Sequence, residues 1–107
     1  MDKTKIVIAD HDNRFVEYAV NALKIYPEIE IAGVTNNGLD ALQLVKHGKV
    51  DALVFEILLP GLDGISLLRS VNELKKPPAT LCCTRFYSDI AMEAARVYGA
   101  SYVLYSL

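Results

Sequence analysis

Residues 51–64 read DALVFEILLPGLDG, an apolar run that meets one carboxylate, Glu56, and soon breaks at Pro60-Gly61. Leu53, Val54 and Phe55 form an unbroken apolar stretch, the pattern of a strand covered on both faces by helices. In such sheets ligands sit at the carboxyl ends of the strands, so Glu56 stands where chemistry is expected. Glutamate carries one more methylene than aspartate, and its carboxylate is expected to project further from the strand end.

Outward from this stretch, short apolar runs alternate with amphipathic ones. Lys5 to Ala9 predicts a first strand, followed by a helix with Phe15, Val16, Ala19, Val20 and Leu23 on one face and a stop at Pro27. Ile29 to Val34 predicts the second strand. Asn36-Asn37-Gly38 turns into a helix striped by Leu39, Leu42 and Val45 that ends at Gly48, with His47 near its negative end. After the third strand, Ala52 to Phe55, Asp63 is placed to cap a helix with Ile65, Leu68 and Val71 inward. Ala79 to Thr84 predicts the fourth strand. Ser88 caps a last helix with Ala91, Ala94, Ala95 and Tyr98 inward, and Gly99 precedes a fifth strand at Tyr102 to Tyr105.

Repeated strand and helix with right-handed crossovers predict an α/β fold, a doubly wound five-stranded parallel sheet of order 2-1-3-4-5. Only the first helix then lies on one face, and a fifth helix is lacking. The expectation is a longer parent chain or an apolar face that pairs with a partner, for instance in a dimer.

The 107 residues, 52% hydrophobic with a formal net charge of −2, suit one domain spanning 1–107. Lysines and arginines are scattered, which argues against direct nucleic-acid binding by this segment. The run after Lys5 is too short for a signal-peptide core or a membrane span, so a cytoplasmic protein without membrane contact is expected. Adjacent Cys82 and Cys83 lie inside a strand and read as core filling, with neither disulfide nor metal-ligand spacing.

Four strand ends then converge: Asp10, His11 and Asp12 after the first, Glu56 after the third, Thr84 and Arg85 at the fourth, Ser106 after the fifth. Together with IVIADHDNR (6–14), NNGLDAL (36–42), DALVFEILLPGLDG (51–64) and GASYVLYSL (99–107), this set resembles the receiver domains of two-component response regulators, and among them those of sporulation-type regulators. The resemblance implies that an acidic pair after the first strand and an aspartate on the third hold Mg²⁺, and that this aspartate accepts a phosphoryl group. It also implies a hydroxyl on the fourth strand and a lysine on the fifth to bind the phosphoryl oxygens.

Asp10 matches the first acid and Thr84 the hydroxyl. His11 takes the place of the second acid, Glu56 of the phosphoacceptor, Ser106 of the lysine, Leu107 of the proline after it, and Val103 of the switch aromatic. Asp12 is a substitute acid or, on the plainer reading, the cap of the first helix. Loss of a hard oxygen ligand weakens a site for an ion that demands octahedral oxygens, so Asp10 and Glu56 are expected to bind Mg²⁺ weakly or not at all. Loss of the ammonium removes the partner of the phosphoryl charge. Arg85 is expected to reach across to Glu56 and close the pocket.

The resulting expectation is a pseudo-receiver, not an enzyme and without a resident cofactor. It would form the amino-terminal part of a longer sporulation-type transcription regulator that acts through protein contacts without normal phosphorylation. Implied partners are a histidine kinase or phosphotransferase and an effector domain in cis. Two other readings stay open: a receiver that is phosphorylated with Mg²⁺, and a small-ligand or nucleotide binder of the flavodoxin type. The glycine-free, acidic loop Asp10 to Arg14 argues against the last.

Overall fold

A computed structural model of the chain describes residues 2–105. The elements run β1 (Thr4–Ala9), α1 (Asn13–Leu23), β2 (Ile29–Thr35), α2 (Gly38–His47), β3 (Ala52–Phe55), α3 (Gly64–Asn72), β4 (Ala79–Thr84), α4 (Asp89–Val97) and β5 (Tyr102–Tyr105). All strand pairs are parallel, and the sheet order is β2-β1-β3-β4-β5. This is the doubly wound arrangement expected from the alternation of runs. Ser106 and Leu107 lie outside the described residues.

The caps fall where short polar side chains precede the helical stripes. Asp12, Asn37, Asp63 and Ser88 are the N-caps of α1 to α4, each accepting a backbone N–H of the first turn. Two stripe positions differ from expectation. Leu39 is 50% exposed, because Ala41 and Val45 face the sheet and place it on the outer side of the first turn of α2. Tyr98 is also exposed and lies under the Arg69 guanidinium, 4.9 Å from ring centre to Cζ, instead of entering the core.

The two faces of the sheet are unequal. Val7, Ala9, Leu53, Phe55 and Cys82 pack under Ala41, Val45, Leu67, Leu68, Val71 and Ala95 of α2, α3 and α4. Each large side chain buried there contributes about 1.5–3 kcal/mol. On the other face α1 contributes no buried residue. Phe15, Tyr18, Ala22, Leu23, Cys83 and Leu104 line a shallow apolar groove of about 370 Å³ there, and Leu104 is 54% exposed.

The loop after β3 is held against α2. Gly38 N donates to Pro60 O at 2.9 Å, and a Cβ on Gly38 would overlap the Leu62 carbonyl. Gly61 adopts φ +80° beside the Asn37 side chain, a conformation that favours glycine. The Pro-Gly break thus fixes the chain that leaves Glu56.

Two outcomes follow for stability. Asp63→Ala is expected to cost about 1 kcal/mol in urea unfolding through loss of its cap. Burial alone would raise the Asp63 carboxyl, but hydrogen bonds from the Ser66 amide and hydroxyl outweigh it and hold the group below its ordinary 3.8. The Asp63 contribution is therefore complete above that value and lost as pH falls through the lower folded-state value, so the difference between wild type and D63A narrows in acid. Gly38→Ala, which forces the Pro60 loop away, is expected to destabilise by more than the ~1 kcal/mol of a cap.

Candidate functional site

The order β1-β3-β4 brings the residues just past three neighbouring strands to one pole: Asp10 after β1, Glu56 after β3 and Arg85 after β4. Asp10 and Glu56 are each only 2% exposed. Two buried carboxylates side by side repel and lack water, so the site requires a cation or a dense set of donors.

Both are present. Arg85 Nη2 lies 2.7 and 2.8 Å from the two carboxylate oxygens of Asp10. The same nitrogen is 3.5 Å from Glu56 Oε1, and Arg85 Nε is 3.5 Å from Asp12 Oδ2. Asp10 Oδ1 also accepts the Asp12 N–H at 2.8 Å, which folds the loop after β1 tightly over the strand end. The Arg85 Cζ stands 4.8 Å from the centre of the Phe15 ring, so the first turns of α1 supply an aromatic face to the guanidinium. Burial opposes the charge of Arg85, but the hydrogen bonds and attraction of Asp10, then Glu56 and Asp12, prevail and raise its pKa further.

Glu56 departs from the expected geometry. Its carboxylate does not project outward. The extra methylene lets it fold back so that Oε2 accepts the N–H of the next residue, Ile57, at 2.6 Å, while Oε1 accepts the Arg85 backbone N–H at 3.0 Å. The principal partner of the Arg85 side chain is consequently Asp10, with Glu56 a longer contact.

The other positions divide. Asp12 is the cap of α1, as the plainer reading holds, and adds a weak ionic contact. Thr84 is buried beside the pocket, with its hydroxyl turned to the loop that follows: it accepts the Phe86 N–H at 3.0 Å. His11 is exposed and has no hydrogen-bond partner among the described residues. Val103 packs against the main core, and the aromatics nearby, Tyr87 and Tyr105, meet edge to face at 5.2 Å on the surface. Ser106 lies outside the described residues.

The donor set does not fit a hard divalent cation. Both oxygens of Asp10 face a guanidinium nitrogen and both oxygens of Glu56 face amides, whereas Mg²⁺ needs such oxygens free at about 2.0–2.1 Å. Among the described residues no group of three or more His, Cys, Asp or Glu side chains is arranged so that it could hold a metal ion.

Sequence reasoning found the pole but missed Phe15, read only as a core-facing residue, and the backbone amides of Ile57 and Arg85. The available signal was charge balance: three acids, Asp10, Asp12 and Glu56, converge with one cation, Arg85. Cys82 is core filling, as expected, whereas Cys83 is half-buried in the wall of the groove beside α1. Burial first, then the Glu56 charge and Cys83, pushes the Cys82 thiol up to about 12. Burial and Asp10 also raise Cys83, against an opposing effect of Arg85.

The family model for the response regulator receiver domain matches residues 6–105. Protein MrkE of Klebsiella pneumoniae is 27% identical over 103 residues, covering 96% of this chain and 38% of that protein. The transcriptional regulatory protein YpdB of Escherichia coli K12 is 27% identical over 100 residues, covering 94% of this chain and 41% of that protein. The chain thus spans about two fifths of the length of these curated relatives. Among solved structures, the signal receiver domain of NarL from Mycobacterium tuberculosis superposes with a TM-score of 0.90 at 25% identity, covering 98% of this chain and 85% of that one. The receiver of MrkE superposes at 0.86 with 23% identity, covering 96% and 83%.

Removing one member of the buried pair exposes its importance. Asp10→Ala leaves the guanidinium short of its main partner and is expected to cost about 2–3 kcal/mol in urea unfolding, below the 3–5 of a fully enclosed pair because Arg85 keeps a quarter of its side chain in water. Both thiols are expected to resist iodoacetamide at neutral pH in the folded chain and to react promptly in urea.

Proposed function

The chain belongs to the response regulator receiver domain family, and from that premise we propose that it is a signalling module that works by protein contact without phosphoryl transfer to Glu56. The single observation that supports this most is the anchoring of Glu56: a buried carboxylate with each oxygen on a backbone amide, at 2.6 and 3.0 Å. Phosphoryl transfer depends on an oxygen presented in line to the donor and on cations that neutralise the moving charge. Here the nucleophile is turned inward, and the guanidinium is committed to Asp10.

Two-component receivers pass signals between kinases and effector domains. On the pseudo-receiver reading, this domain keeps those surfaces while its acid pocket remains in one state. The likeness to a transcriptional regulatory protein supports transcription control as the output, with an effector domain carried in cis on a longer chain. Membership of the sporulation branch rests on the resemblance carried jointly by IVIADHDNR, NNGLDAL, DALVFEILLPGLDG, Thr84 and GASYVLYSL of this sequence. The partly open apolar face around Leu104 supports self-association or contact with another protein, and free cysteines fit a reducing, cytoplasmic setting.

Intact-mass measurement after incubation with acetyl phosphate and Mg²⁺ tests the reading. The expected result is no phosphoryl adduct on the wild-type chain, and none on Glu56→Asp alone, because Asp10 stays paired with Arg85. A stoichiometric, base-labile adduct on wild-type Glu56 would establish the conventional, phosphorylated receiver instead.

A further inference from the structure

We infer that the side chain of Arg85 is the resident cation of this pocket: a tethered guanidinium that takes the place of a divalent ion and excludes it. The geometric part stands independently of the reading of Glu56 given above, and its functional consequence rests on that reading. Three carboxylates, Asp10, Asp12 and Glu56, each have Arg85 as an ionic partner, at 2.7, 3.5 and 3.5 Å. An ion entering the pocket would have to take the Asp10 oxygens from Nη2, which holds both of them.

Displacement is disfavoured on each side of the exchange. The guanidinium offers its Nε and Nη2 edge to the acids, while Nη1 is buried with no hydrogen-bond partner among the described residues. An Arg85 pulled from Asp10 keeps only the 3.5 Å contacts to Asp12 and Glu56, and Nη2 would join Nη1 as a donor without a short partner, which is costly. The Phe15 ring also holds the cation from the α1 side. Arginine suits this task because it stays charged at every physiological pH and, while Nη2 spans both oxygens of Asp10, its Nε still faces Asp12.

The consequence is a pocket whose charge is fixed by covalent structure. Metal concentration, which governs an open acidic site, has no hold on it. Because Arg85 follows β4, Asp10 follows β1 and Phe15 belongs to α1, the same contacts clamp three elements together at the pole. The clamp also borders the apolar groove, where Arg85 and Phe15 form part of the wall.

Electron paramagnetic resonance of free Mn²⁺ reads the cation directly, with the whole chain as wild type and as Arg85→Gln. Wild type is expected to leave the free Mn²⁺ signal undiminished, and R85Q to bind Mn²⁺ at least tenfold more tightly and to gain thermal stability from it. Equal Mn²⁺ binding by the two, or a folded R85Q that binds none, would overturn the assignment. If R85Q does not fold, the wild-type Arg85 Nε–H resonance, assigned with Arg85→Lys, decides: it should stay unmoved on addition of MgCl₂, and a saturating shift would refute the exclusion of metal. Phosphoryl uptake is scored separately. Wild type that binds Mn²⁺ but takes up no phosphoryl group would refute the tethered cation and leave the reading of Glu56 standing.

Discussion

The contact between the Arg85 guanidinium and the Asp10 carboxylate is the constraint around which this end of the molecule is built. A parallel sheet places the residues after β1, β3 and β4 side by side, and in this sequence two of the three are acids that the surrounding chain seals from water. An unpaired carboxylate in such a place is costly enough to take up a proton or draw in a counterion. Arg85 supplies that counterion from within the chain.

From this contact the remaining geometry follows. With the side chain of Arg85 drawn toward β1, its backbone N–H meets Glu56, whose longer side chain bends back and closes its other oxygen on Ile57. Thr84, one residue earlier, is left with the loop amide of Phe86 as its partner. A charge-assisted pair with two contacts is worth more than a neutral hydrogen bond, although part of its worth only offsets the desolvation of the two ions.

Strand and helix limits were legible because apolar runs, N-cap residues and Pro or Gly breaks agree at nearly every boundary, from Asp12 and Asp63 to Ser88. Leu39 was misplaced because a stripe counted at helical spacing does not say which of its members the sheet meets. The pole of the site was legible from the strand ends, as was the fact that Arg85 turns inward. Its true partner was not: reach across one strand or two depends on where Glu56 points, and the extra methylene of Glu56 was read as projection when it permits a turn back to the chain. Backbone amides leave no mark in a sequence, so the anchoring of Glu56 appears only in three dimensions.

A double-mutant cycle on Arg85→Gln and Asp10→Asn, followed by urea unfolding of all four proteins, measures the pairing without reference to metal or phosphate. Contact between buried, hydrogen-bonded ions predicts a coupling energy within the roughly 0.5–3 kcal/mol seen for interacting residues, toward its upper end. Strictly additive losses would mean that the guanidinium does not hold the carboxylate in solution, and the closed pocket would have to be abandoned.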